Sequence, residues 1–98
     1  MPRIDHVESD EGYSVEIGEV RYPAVMIRYQ EGSHMMDVWS EAMYKGDVKF
    51  VLDPSTTKRW APPHETEAIG DATRELILQR IQAALLFAGF RTDRHDAW

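Results

Sequence analysis

The chain has 98 residues, of which 17 are acidic and 11 basic, giving a formal charge of -6, and it has no cysteine. That length bounds it to one domain with one modest core. The missing cysteines exclude a disulfide framework, a thiolate nucleophile and a zinc-thiolate site, and no apolar run of about 18 residues exists to span a membrane.

The predicted elements follow in chain order. Residues 1–11 are charged and aperiodic, an arm that is either flexible or a short edge strand. Tyr13, Val15 and Ile17 then alternate with Ser14 and Glu16, the two-residue period of a half-buried strand, bracketed by Gly12 and Gly18. A second strand runs from about Ala24 to Gln30, with Pro23 before it and Val25, Ile27 and Tyr29 on one face. Glu31-Gly32-Ser33 turns the chain into a third strand, about His34 to Ala42. Lys45-Gly46-Asp47 is the next turn, and Val48, Phe50 and Leu52 mark a fourth strand. After Asp53-Pro54-Ser55, residues Thr56 to Trp60 have room for a fifth.

Pro62 and Pro63 forbid regular structure, so any strand carrying Trp60 ends there. Ile77, Ile81, Ala84 or Leu85, and Ala88 then recur at helical spacing. The spacing predicts a helix from about Asp71 to Ala88, with Gly70 or Asp71 as N-cap and Gly89 as the left-handed stop. Residues 91–98 read as a polar tail that frays or docks through Phe90 and Trp98. Strands joined by short turns pair antiparallel, so the expected fold is α+β: a meander sheet of four or five strands, with one long C-terminal helix packed on one face. Met26, Met35, Met36 and Met43 are expected to fill the core.

No reaction emerges from the motifs. None of His6, His34, His64 and His95 has a partner at metal-ligand spacing in a regular element, and Asp93-x-His95-Asp96 sits on a tail without supporting contacts. His64-Glu65 are neighbours in a loop and do not face a common proton. Asp37 and Glu41 share a strand face with Trp39 but lie about 13 Å apart, too far for paired-carboxylate glycoside chemistry. What survives is an aromatic residue flanked by charges, a common anchor for a protein partner. Trp60 is a second candidate anchor, although closing the core near the helix entrance suits it better. No glycine-rich phosphate loop is present, and no cofactor is expected.

The start of the chain lacks the apolar segment of a signal peptide, which leaves the cytoplasm as the default location. Residues 1–20 hold Asp5, Glu8, Asp10, Glu11, Glu16 and Glu19 against Arg3 alone. Such a field repels nucleic acid and attracts a basic partner.

In order, Tyr29, the Glu31-Gly32 turn, Glu41, the apolar strand around Phe50, Trp60, Pro63, Ile69, a helix with Ile77, Ile81 and Leu85, and Gly89 resemble the immunity protein 74 family of bacterial polymorphic toxin systems. The resemblance covers about residues 27–90, and Trp60, Pro63 and Ile69 are its most specific part. It implies a small, non-enzymatic α+β protein that neutralises the toxin encoded beside it. Tyr29, Gly32, Glu41, Trp60, Pro63, Ile69 and Gly89 carry the pattern, whereas Gly70 stands where a serine or threonine cap is expected. The expectation is therefore a protein that occludes a cognate toxin with a basic surface, through Asp37, Trp39, Glu41 and Trp60. The alternatives are a small ligand-binding or enzymatic domain using His34 or His64, and a subunit pairing through an exposed sheet edge.

Overall fold

The computed structural model describes residues 6–21, 23–43, 49–54, 57 and 59–94. Its order is β1 (His6–Glu8), β2 (Tyr13–Arg21), β3 (Ala24–Glu31), β4 (His34–Met43), β5 (Lys49–Leu52), α1 (Asp71–Phe87) and β6 (Arg91–Arg94). The strands form one six-stranded sheet in sequence order. The first five pair antiparallel. β6 pairs parallel to β5, a geometry that needs a long crossover, here supplied by α1. The α+β meander with one helix is thus the fold, with one strand more than the four or five expected and a parallel pair at its edge.

Three differences from the sequence reading have physical causes. The strand expected to stop at Gly18 continues to Arg21, with a bulge between Ile17 and Val20. Gly18 lies at that irregularity and packs beside Met26, whose flexible Cε end a Cβ there would displace. Residues 57, 59 and 60 are not strand. Residues on either side of that segment bond to the part of β4 that β5 leaves free: Asp53 N–H donates to Trp39 O at 2.9 Å and Ala61 N–H to Met35 O at 2.7 Å. Residues 91–94, expected as tail, are β6. The Lys45-Gly46-Asp47 turn, the His95 and Asp96 ligands and Trp98 lie outside the described residues.

The core lies between α1 and one sheet face. Val15, Val25, Ile27, Tyr29, Met36, Val38, Ala42, Phe50 and Leu52 meet Ile77, Leu78, Ile81, Ala84 and Leu85, and Trp60 closes one end. Only Met36 of the four methionines is core. Met26 and Met35 are half-buried, and Met43 is exposed, because strand alternation turns all three to the opposite face. Gly70 caps α1 without a side-chain hydrogen bond. Gly89, at φ +99°, stops it, with Phe90 N–H donating to Leu85 O at 2.9 Å. That turn seats Phe90 edge-on against Phe50, ring centres 5.0 Å apart, and so delivers β6 to β5.

Polar pins fix the helix to the sheet. Arg94 makes a bidentate pair with Glu75 at 2.7 and 2.8 Å, and its Nε donates to Gln82 Oε1 at 2.8 Å. Farther along α1, Arg80 Nη1 donates to Tyr29 Oη at 2.9 Å and Tyr29 donates to Glu31 Oε1 at 2.7 Å, while the Arg80 guanidinium lies 4.6 Å from the centre of the Tyr13 ring. Burial, reinforced by donation to Glu31, pushes the Tyr29 phenol up to about 12, so it remains a proton donor across the folded range.

Two predictions follow from these pins. Tyr29→Phe strips Arg80 of its 2.9 Å acceptor and Glu31 of its donor, and should cost about 1 to 3 kcal/mol, read as a lower urea midpoint at unchanged slope. Hydrogen bonding from Arg94 holds the Glu75 carboxyl below its ordinary value of 4.5. A depressed folded pKa gives stability that is full above the ordinary pKa and lost as pH falls through the folded one. The difference in Tm between wild type and Glu75→Gln should therefore shrink toward acid pH, and a constant gap would contradict the pairing.

Candidate functional site

Alternation along β4 sorts the candidate residues onto two sides of the sheet. Met36, Val38, Ser40 and Ala42 point into the core, and the Ser40 hydroxyl is satisfied by donating to Val25 O at 3.0 Å. Asp37, Trp39 and Glu41 therefore share the face that α1 does not cover, as their spacing requires. Cross-strand register gives this face its composition. Asp37 lies opposite Arg28, which lies opposite Glu16; Trp39 is opposite Met26, and Glu41 is flanked by Ala24 and Val51.

Several polar side chains on this face are paired. Arg28 Nε donates to Asp37 Oδ1 at 3.1 Å, His6 reaches Glu16 at 3.4 Å, and Lys49 meets Asp93 at 3.2 Å. Trp39 is half-buried among them and, with Pro23, Ala24, Glu41 and Asp53, lines a shallow depression. The surface is apolar at its centre and charged around it.

Trp60 is apart from that trio. Only 9% exposed, it sits on the helix side of the sheet, 6.3 Å from the Tyr29 ring. There it packs edge-on to His34, ring centres 4.9 Å apart.

His34 leads to a cluster that the sequence reading missed. The imidazoles of His34 and His64 stack with centres 3.8 Å apart and an 18° tilt. Both edges meet one carboxylate: His34 Nε2 lies 2.9 Å from Glu67 Oε1, and His64 Nδ1 bonds Glu67 Oε2. His64 Nε2 lies 3.4 Å from Ser33 Oγ. Hydrogen bonds from both imidazoles hold the Glu67 carboxyl below its ordinary range, that from His34 most strongly. The partner of His64 is thus Glu67, three residues on, and not the adjacent Glu65. Successive turns place them, with His64 N–H donating to Ala61 O and Glu67 N–H to His64 O, each at 3.0 Å. One ligand atom from each of His34, His64 and Glu67 falls within 4.8 Å of the others, so these three are the described residues that could hold a metal ion. The signal in the sequence was the His64-x-x-Glu67 spacing after Pro62-Pro63. What it lacked was His34, thirty residues earlier, which only the folded edge of β4 brings close.

No helix among the described residues is long and apolar enough to cross a membrane. No curated protein and no solved structure matches the chain. A match to immunity protein 74 covers residues 20–93, and includes β3, β4, β5, the Trp60 loop, α1 and nearly all of β6. Spanning well over half of the sequence, that match establishes that the chain belongs to the immunity protein 74 family.

Proposed function

We propose that the chain is a cytoplasmic, non-enzymatic bacterial immunity protein of a polymorphic toxin system, which neutralises a cognate toxin by binding and covering it. The observation that carries this reading is the family match over residues 20–93. The helix-free face supports it: a tryptophan at the centre of an apolar patch, ringed by charges, has the anatomy of a protein-binding surface. Trp39 is the proposed anchor, with Asp37 and Glu41 as flanking contacts. Trp60, at 9% exposure, holds the core closed beneath His34 and acts through shape.

The formal charge of -6 suits a toxin with a basic surface, as an enzyme acting on phosphates needs. Glu8, Asp10 and Glu11 are exposed in and after β1, and Glu16 lies on the helix-free face, so the acidic field extends from the sheet edge toward Trp39. Long-range charge accelerates encounter and is screened over roughly 8 Å at physiological salt, whereas a buried aromatic anchor governs how long the complex lasts.

The test is co-expression with the toxin encoded beside this gene, followed by binding kinetics at low and high salt. The wild-type chain should protect the cell. Charge reversal at Asp10, Glu11 and Glu16 should slow association, with the loss vanishing at high salt. Trp39→Ala should cost about 2 kcal/mol or more, appearing as faster dissociation. Failure of the folded wild-type chain to protect would reject the immunity role for that pair. Protection with salt-independent association would discard the steering mechanism, and an unchanged dissociation rate in Trp39→Ala would move the interface elsewhere.

A further inference from the structure

The His34, His64 and Glu67 cluster is built in a way that a hydrogen-bonded staple alone does not require. Two stacked imidazoles 3.8 Å apart present nitrogen atoms to a single carboxylate. The side chains of His34, His64 and Glu67 are 29%, 23% and 48% exposed, so the cluster is reachable from solvent. Their supports come from different elements: His34 starts β4 against the edge of Trp60, while His64 and Glu67 occupy successive turns before α1. Ala61 N–H bonded to Met35 O at 2.7 Å ties those two pieces of chain together beside the cluster.

We propose that His34 Nε2, His64 Nδ1 and the Glu67 carboxylate bind one divalent transition-metal ion of the zinc class, which clamps the β3–β4 turn to the loop entering α1. Two nitrogens and one carboxylate suit zinc and its neighbours in the series better than calcium or magnesium, which take oxygen ligands. Ligands held at about 2.1 Å in a tetrahedral arrangement lie roughly 3.4 Å from one another. Donor atoms already within 4.8 Å of one another must close toward that spacing, and the two stacked rings, now 18° from parallel, must turn so that both lone pairs point at the ion.

The protons balance without loss. Each neutral ring moves its proton from the nitrogen facing Glu67 to the far nitrogen, freeing the near lone pair. For His64 the far nitrogen is Nε2, 3.4 Å from Ser33 Oγ. A hydroxyl can donate to that nitrogen or accept from it, so Ser33 supports both forms and is positioned as the outer partner that metal-binding histidines commonly have. Three protein ligands leave a further position for water. The inference is independent of toxin binding, since every ligand lies on the helix side of β4, away from Asp37, Trp39 and Glu41.

The experiment is titration of the purified full chain with zinc(II), with cobalt(II) as the spectroscopic probe. The expected result is one ion per chain, a cobalt spectrum of tetrahedral type and a Tm that rises with zinc. His64→Gln and Glu67→Gln should each weaken binding about tenfold or more, with His6→Gln as the unaffected control. Should either variant fail to fold, the imidazole nitrogen signals of the wild-type chain decide. Zinc-dependent shifts at both His34 and His64 uphold the site. Absence of binding, binding unchanged in folded His64→Gln and Glu67→Gln, or shifts at His6 or His95 in place of His34 and His64, would overturn it.

Discussion

One helix must bury one face against one side of a sheet, and the rest of the molecule follows from how that is achieved. Ile77, Leu78, Ile81, Ala84 and Leu85 lie on the same side of α1, and each is at most 4% exposed. At about 25 cal/mol per Å² of apolar surface, their burial against Ile27, Tyr29, Met36, Val38 and Leu52 is the dominant favourable contribution at this interface. The polar residues at its margins then act as locks. Arg80 engages Tyr29 and Glu31, Arg74 Nε donates to Thr57 O at 3.0 Å, and Arg94 grips Glu75, so helix, loop and edge strand are each fixed by a guanidinium.

Because a single helix covers a single face, the opposite face is left to a mixture that no packing partner demands. Met26, Met35, Trp39 and Val51 are half-buried there by their neighbours and by paired charges. The proposed contact surface and the proposed metal clamp therefore belong to opposite sides of β4. The one-residue alternation of the strand separates them: His34 shares the parity of the core residues, and Asp37, Trp39 and Glu41 the other. A clamp at the first end of β4 would stiffen the strand that carries the contact residues without touching them.

The sequence was most legible where burial on one face leaves a period. Val25, Ile27 and Tyr29 announced β3, and Ile77, Ile81 and Leu85 announced α1, because each had to face the same core. β6 was illegible for the converse reason. Thr92 and Arg94 face Gln82 and Glu75 of the helix through hydrogen bonds, while Arg91 and Asp93 are exposed, so Arg91-Thr92-Asp93-Arg94 has no apolar alternation to display. The extension of β2 through Gly18 was hidden similarly, since a glycine at a bulge within a strand looks in sequence like a glycine that ends one. Of the candidate sites, the Asp37-Trp39-Glu41 face was readable from alternation alone. The histidine cluster was not, because its members meet across a loop closure that local spacing does not encode.

The contact surface proposed for a cognate toxin is the face of the sheet that α1 leaves open. The most direct measurement is amide mapping by NMR of the isotope-labelled chain as the unlabelled neighbouring toxin is added. The largest changes should fall on β4 around Asp37, Trp39 and Glu41 and on their cross-strand partners Met26, Arg28 and Val51. Changes concentrated instead on the exposed end of the helix, at Leu86 and Phe87, with β4 undisturbed, would contradict it.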